Sequence, residues 1–423
     1  MATTAVSVAD ICAAARDASR VLSRLDGATR TAALFAMASA LETRSEEILE
    51  ANARDMEAGA AADIGSALLD RLRLTPDRLA GIASDVRVIA SLPDPVGGTI
   101  EGHRLPNGLD VRKVRVPLGV VAVVYEARPN VTVDCSALCI KSGNAIVLRG
   151  SSYAAHSNAV LASVVRDAVV AAGLPAAAVS LVAGGGREEL AELATQSSYV
   201  DLIIPRGGEG LKNALKSVAT VPVMYAAAGN CHVYVDASAD VDDAVAIAVN
   251  AKVQRPGVCN SAETLLVHCD VAPSFLPRAL AELRDRGVEL RVDARTRSLA
   301  GPLGDSLGEA VEEDWATEFL ALVLAVKVVD SADEAIEHVN KYGSGHSEAI
   351  VTGSVEAAQE FTSLVDAAAV YVNASTRFTD GSVFGMGAEI GNSTQKLHAR
   401  GPIGVRELCT FKYVVEGSGQ VRP

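Results

Sequence analysis

The sequence predicts an α/β protein, with two doubly wound α/β domains and a small β arm. Three observations lead there. Strand-like apolar runs alternate with helical stretches from residue 120 to residue 372. The chain has 423 residues, too many for one ordinary core, so two or three domains are expected. Hydrophobic residues make up 49% but aromatics only 4%, so Ala, Val, Leu and Ile must fill the interior, a packing that suits helices over parallel strands.

Taken in order, residues 7–60 read as helices. Ser7 caps the first, Asp26-Gly27 interrupts, and Leu34, Met37, Ala38 and Leu41 recur at helical spacing. The pattern then changes. Thr99–His103 and Val111–Val116 flank Pro106-Asn107-Gly108-Leu109-Asp110, which predicts a hairpin with a glycine turn. Lying outside the alternation that follows, this hairpin reads as an arm for subunit contact.

Strands are expected at Val120–Tyr125, Ala145–Arg149, Val179–Ala183, Val200–Ile204 and Val221–Met224, with helices near 132–142, 153–173, 187–195 and 208–218. That rhythm predicts a right-handed, doubly wound parallel sheet. A second series follows at His232–Asp236, Thr264–His268, Val288–Val292, Leu322–Val329, Ala349–Thr352 and Ala368–Val372, separated by helices near 240–252, 272–286, 332–340 and 354–364. Two such units imply two domains with a ligand-holding cleft between them. From Phe384 to Pro423 the chain is glycine-rich and then extended at Leu408–Val415.

Charge narrows the function classes. The formal net charge is −14, with 38 basic against 52 acidic residues, which argues against nucleic acid or an anionic membrane as the main partner. No apolar stretch approaches the ~20 residues of a membrane helix. Met1–Asp10 lacks the basic and apolar regions of a signal peptide. The seven cysteines show no zinc-like pairing, so no metal is expected and they read as reduced thiols of a cytoplasmic protein.

Cys259 follows Pro256-Gly257 and precedes Asn260-Ser261-Ala262-Glu263. Read as a loop-to-helix junction, this setting lowers a thiol pKa through free backbone N–H groups, which also stabilise an oxyanion. A buried, inert cysteine is the competing reading, and it is the one adopted for Cys135, Cys139, Cys231 and Cys269. Gly184-Gly185-Gly186 and Pro205-Arg206-Gly207-Gly208 each follow a strand and precede a helix, where glycine lets backbone approach a dinucleotide or simply makes a tight turn. Arg149-Gly150-Ser151-Ser152 offers a cation and two hydroxyls to a ribose or 2′-phosphate, with an ordinary solvated loop as the alternative. Lys141-Ser142-Gly143-Asn144 reads as a helix C-cap. His346 is open as a base, a substrate ligand or a loop residue, and Glu318 as a surface carboxylate or a ribose ligand.

Together these pieces resemble the aldehyde dehydrogenase superfamily, and more closely its glutamate-5-semialdehyde dehydrogenase (gamma-glutamyl phosphate reductase) family. The resemblance runs over nearly the whole chain. It is carried by Val123-Val-Tyr-Glu-Ala-Arg-Pro-Asn130, Ile203-Ile-Pro-Arg-Gly-Gly-Glu209 and Gln254-Arg-Pro-Gly-Val-Cys-Asn260. Tyr342-Gly-Ser-Gly-His-Ser-Glu348 and Phe384-Gly-Met-Gly-Ala-Glu-Ile-Gly391 complete it.

The resemblance implies an aldehyde-dehydrogenase-like fold with an NADP-binding domain at 1–230 (with 374–398), a catalytic domain at 231–373, and an oligomerisation arm and tail at 98–118 and 399–423. It implies NADPH-dependent reduction of L-glutamyl 5-phosphate to glutamate 5-semialdehyde, the second step of proline synthesis, through a Cys259 thioester. A homo-oligomer is expected, and glutamate 5-kinase is the possible protein partner. The superfamily's Trp-Asn oxyanion pair is absent, leaving Asn130 as the candidate amide.

Glu318 matches the nicotinamide-ribose residue, and Arg128, Asn260 and His346 are substrate candidates. Aldehyde-oxidising relatives carry a Glu that activates the deacylating water; Ala226 of Ala226-Ala227-Ala228-Gly229 stands there instead. NAD-preferring relatives place a Glu by the adenosine ribose where Ser152 stands, so NADP is expected.

Overall fold

The computed structural model describes residues 6–422 apart from 185 and 226–228, so Gly185 and the Ala226–Ala228 stretch lie outside the described residues. The chain forms two compact units: Met1–Tyr225 with Met386–Gly391 and Ile403–Pro423, and Ala226–Gly385 with Asn392–Pro402. Residues 374–385 and 392–402 fall in the second of these compact units, whereas the resemblance implies 374–398 with the first domain. The reason is local: Lys396 and Arg400 both pair with Asp366, and residues 376–379 grip the main chain and side chain of Asn260.

The first unit begins with helices Val8–Leu22, Gly27–Thr43, Ser45–Ala61, Ser66–Leu72 and Pro76–Ser91. Ser7, Asp26 and Thr75 cap the first, second and fifth, each side chain accepting a backbone N–H that the helix leaves unpaired. Strands β1 (Thr99–Arg104) and β2 (Asp110–Pro117) form the expected hairpin, turned by Gly108 at φ +87°.

The central sheet comprises β3 (Val120–Tyr125), β4 (Ala145–Gly150), β5 (Val179–Leu181) and β6 (Leu202–Arg206), all parallel, in the order β5-β4-β3-β6. β3 and β4 are buried throughout, which is why they read as unbroken apolar runs. The strand order reverses between β3 and β6, a switch point whose carboxyl ends are Tyr125 and Arg206. The expected strand Val221–Met224 is reduced to one bridge, Ile203 to Val223, because Pro222 has no N–H to extend a ladder.

The second unit carries seven parallel strands: β7 (Cys231–Val235), β8 (Ala262–His268), β9 (Glu289–Val292), β10 (Gly308–Glu309), β11 (Val323–Val329), β12 (Ser347–Val351) and β13 (Ala369–Val372). Their order is β10-β9-β11-β8-β7-β12-β13. Helices Val241–Val253 and Ala272–Asp285 pack one face with an aliphatic core centred on Val233, Leu265 and Phe275. Helices Ala332–Tyr342 and Val355–Leu364 pack the other, around Tyr234, Ile336 and Phe361. Short strands β14 (Asn392–Ser393) and β15 (Gly401–Pro402) pair here. The last strand, β16 (Cys409–Glu416), returns to the first unit and lengthens the arm by pairing with β2. No described helix is long and apolar enough to cross a membrane.

Candidate active site

In the second unit, Cys259 sits half-buried in the turn between helix Val241–Val253 and β8. A strand follows the thiol, as the expected run Thr264–His268 has it and against the loop-to-helix reading of Cys259: Ala262–His268 pairs with β7 and β11, so the turn does not lead into a helix N-terminus. Three groups fix the turn instead. The Cys231 thiol donates to the Cys259 carbonyl at 3.2 Å. Gly229 lies so close that a Cβ there would stand 1.8 Å from the Cys259 carbonyl oxygen. Glu318, half-buried, accepts the Gly229 N–H at 2.6 Å. Sequence reasoning treated Cys231 only as inert filler and did not anticipate Gly229; neither carries a signal before the fold brings them together.

Asn260 is buried, and its amide nitrogen is spent on the carbonyls of Arg377 (3.3 Å) and Thr379 (2.9 Å). What remains is Oδ1, buried without a partner, an acceptor and not a donor for an anion. The same segment brings Arg377 beside the nucleophile: its Nε donates to Gln254 at 3.0 Å, and Cys259 and Arg255 are among the charges acting on it. Deeper, Lys252 and Glu263 form a fully buried pair at 2.5 Å, and Glu263 also accepts the Leu320 N–H. Burial pushes Glu263 up to about 7, with the Lys252 charge opposing it. Eleven residues separate the two, so only the fold could reveal the pair.

His346 is buried, with Nδ1 against the Ser347 hydroxyl at 2.9 Å and Nε2 unpartnered. Burial pushes its pKa down to about 4, so the ring is neutral near pH 7 and holds no carboxylate by charge. The other titratable group of that motif is Glu348, also buried, whose Oε2 accepts the His232 N–H at 2.6 Å and faces His232 Nδ1 at 3.0 Å; burial pushes its pKa up, with His232 opposing.

In the first unit, the predicted cofactor residues gather at the carboxyl ends of the sheet. Pro205 and Arg206 end β6; Gly207 follows, and Gly208 caps helix Glu209–Val218. Gly208 N–H donates to Glu126, which leads from β3, so both sides of the switch point are joined. Gly391, at φ +148°, makes room for Arg206: a Cβ there would meet Nη1 at 2.4 Å. Gly150 and Ser151 line a cavity of about 110 Å³ with Asn158, Val182 and Gly184, and the Ser151 hydroxyl is buried without a partner.

Arg149 departs from the solvated-loop alternative. It is buried, and Nη2 donates to the Gly186 carbonyl at 2.5 Å, tying β4 to the loop before helix Arg187–Ala194. Asn130 opens helix Asn130–Lys141 and gives its amide to Asp134 at 2.9 Å, while Arg128 lies half-buried in the loop just before it. Lys141 ends the same helix as the C-cap reading expected, but its ammonium is turned inward onto Thr31 and the Ala90 carbonyl.

Two α/β units, one with a glycine-lined switch point and the other with a cysteine in a braced turn, define an aldehyde-dehydrogenase class of protein. The aldehyde dehydrogenase family model matches residues 1–305 and 311–414, and the chain belongs to that family. Within it, the chain is 55% identical over 408 residues to the gamma-glutamyl phosphate reductase of Thermobifida fusca, covering 96% of this chain and 97% of that one. It is 54% identical to the Moorella thermoacetica protein of the same name, with the same coverage. The crystal structure of gamma-glutamyl phosphate reductase from Thermotoga maritima superposes with a TM-score of 0.96 at 45% identity, covering 99% of this chain and 100% of that one.

Proposed function

We propose that this protein is a cytoplasmic oxidoreductase that reduces L-glutamyl 5-phosphate to L-glutamate 5-semialdehyde and phosphate with NADPH, a step of proline biosynthesis. The observation that carries the reading is the braced Cys259 turn, in a chain 55% identical to a protein named for that reaction. The Cys259 thiolate attacks the acyl carbon, the C–O bond to phosphate breaks, and an acyl thioester remains. NADPH, when bound, supplies the hydride that reduces this thioester. Collapse of the tetrahedral adduct expels the thiolate and releases the aldehyde.

The first unit fits such a cofactor. The apolar slot with its unpartnered Ser151 hydroxyl suits an adenosine, and the glycines at the switch point suit backbone approach by a pyrophosphate. Gly150, Ser151, Gly185, Gly186, Pro205, Arg206, Gly207 and Gly208 are the residues assigned to hold it, with Glu318 assigned to the nicotinamide ribose. Arg149 supports the slot through Gly186. Asn130 and Arg128 remain the proposed oxyanion and substrate groups of this unit. Ala226 in place of a general base favours transfer to hydride or phosphate over hydrolysis. The β1–β2–β16 arm is assigned to homo-oligomer contact.

The reaction is tested in reverse, with glutamate semialdehyde, phosphate and NADP⁺, following nicotinamide absorbance. NADPH formation should require phosphate and vanish in Cys259→Ala. Phosphate-independent turnover, or turnover without the thiol, would overturn the reading.

A further inference from the structure

Lys252 and Glu263 stand at the two ends of the turn that carries Cys259. Lys252 lies in the last turn of helix Val241–Val253, and Glu263 is the second residue of β8. Both side chains are wholly buried, and Lys252 Nζ meets Glu263 Oε2 at 2.5 Å. Ser261 closes the same turn again, its hydroxyl donating to the Ala251 carbonyl at 3.3 Å. Desolvating two charges largely offsets their attraction, so apolar residues of similar volume fill such a space as stably. The pair therefore needs an account other than stability, and the second oxygen of Glu263 supplies one.

Oε1 of Glu263 accepts the Leu320 N–H at 3.3 Å. Leu320 has φ +53°, a left-handed backbone that leucine adopts only at steric cost, so its surroundings must hold it there. Its carbonyl faces the nucleophile's turn, 3.7 Å from where a Cβ on Gly257 would stand. Two residues earlier, Glu318 accepts the Gly229 N–H, and Gly229 packs on Cys259. The Trp315 carbonyl accepts Asn230 Nδ2 at 2.7 Å. The segment from Trp315 to Leu320 is thus fastened by three hydrogen bonds, and the Glu263 bond is the one that falls on its left-handed residue. A carboxylate anchored by an ammonium on one oxygen presents the other in a set direction, which an apolar pair cannot do.

We propose that Lys252 and Glu263 are positioning residues that set Glu318 against the Cys259 turn through the Leu320 N–H. Lys252 aims the carboxylate, Glu263 holds the N–H, and Leu320 keeps the left-handed turn that ends the segment. Both act through Leu320 and Glu318 and not on the substrate. The inference rests on the reaction proposed above, in which Glu318 holds the nicotinamide ribose and Cys259 the acyl group.

The test compares two double variants of the full chain. Lys252→Met with Glu263→Leu, the apolar variant, fills the space without an acceptor. Lys252→Met with Glu263→Gln, the amide variant, removes the same charges and keeps an oxygen for the Leu320 N–H. By urea midpoint the apolar variant should be the more stable, because the amide variant leaves a buried NH2 group without a partner. In function the order should reverse, which a merely structural pair would not show. The apolar variant should weaken NADPH binding, read by nicotinamide fluorescence, about fivefold or more, and lower kcat in the reverse assay about tenfold or more. Without cofactor, iodoacetamide should alkylate its Cys259 about threefold faster or more, as the segment comes off Gly257. The amide variant should stay within about threefold of the parent in binding and kcat, and within about twofold in alkylation.

If the parent turns over as proposed and the apolar variant matches it in NADPH binding, kcat and alkylation, the positioning is overturned and the reaction stands. An amide variant no more active than the apolar one has the same consequence. So does an apolar variant that fails to fold, which would make the pair a stability element. A parent that turns over no glutamate semialdehyde, with NADPH binding and alkylation still split between the two variants, overturns the reaction and leaves the positioning.

Discussion

A single methyl group added at Gly229 should disable Cys259 without touching it chemically. Alanine at 229 would place Cβ 1.8 Å from the Cys259 carbonyl oxygen and 2.3 Å from its carbonyl carbon and Cα, all main-chain atoms with no rotamer to relieve them. Ordinary contact begins at roughly 3.5 Å, so the turn must shift by well over ~1 Å. A misplacement of about 1 Å at a reacting atom costs on the order of 10²-fold in rate, close to 3 kcal/mol of barrier. The shift would also strain the Glu318 bond to Gly229 N–H and the Cys231 bond to the Cys259 carbonyl. The expected result is a hundredfold fall in kcat for phosphate-dependent NADP⁺ reduction, a changed rate of iodoacetamide alkylation at Cys259, and a midpoint of thermal unfolding within a few degrees of the parent. A Gly229→Ala protein with kcat within threefold and an unaltered alkylation rate would refute the steric reasoning.

Four further outcomes follow from the same geometry. Arg377→Gln should slow alkylation of Cys259 at neutral pH and raise KM for phosphate about tenfold, because it removes a cation that the Cys259 charge acts on. Ser152→Glu should cut kcat/KM for NADP⁺ at least tenfold and spare NAD⁺, since it puts a carboxylate where a 2′-phosphate is proposed to lie. Lys252→Met should destabilise the protein by about 3–5 kcal/mol by stranding a buried Glu263, and Lys252→Met with Glu263→Leu should recover most of it, read by denaturant unfolding. Burial holds His346 at about 4 and His338 at about 3 in the folded state, against about 6.5 unfolded. Both are depressed, so the folded state binds fewer protons: this stability is full above pH ~6.5 and is lost as pH falls through the folded values, at up to about 1.4 kcal/mol per pH unit for each ring. Urea midpoints read from the single tryptophan, Trp315, which packs edge-on to His338, should show the slope, and His346→Gln should flatten it between pH 6.5 and 5.

The parallel strands were legible because burial on both faces favours apolar runs, as in β3 throughout, Ala145–Leu148 of β4 and Leu265–Val267 of β8. Turn chemistry was equally plain at Asn107-Gly108, where the hairpin needs positive φ. The failures have causes. Val221–Met224 has strand composition, but Pro222 denies it a ladder. The strand expected at Thr264–His268 is present and starts two residues earlier, at Ala262; only the polar Asn260-Ser261-Ala262-Glu263 opening suggested a helix next to the thiol. His346 stood out as a titratable loop residue, whereas Glu348, two residues on, holds the buried carboxylate. Nothing in the sequence reveals which of two neighbouring polar residues will be desolvated without a partner.

The change from helix to strand after Cys259 alters the electrostatics of the proposed chemistry. In the first unit, the candidate ligand groups lie at the carboxyl ends of strands, where the following helices present their N-termini and favour anions. In the second unit, Cys259 and Ser344 lie at the amino ends, just past the C-termini of helices Val241–Val253 and Ala332–Tyr342. Those ends carry partial negative charge, which works against a thiolate and against phosphate alike. One opposing charge is at hand in Arg377, on which the Cys259 charge acts and which is fixed through Gln254 and Asn260, and a second cation, Arg255, stands in the nucleophile's own turn. Where backbone dipoles could have activated the cysteine, one lost arginine would matter little. Here each should cost thiol reactivity and phosphate affinity together, and lysine at either position should restore the charge without the planar fork that meets a phosphate with two bonds.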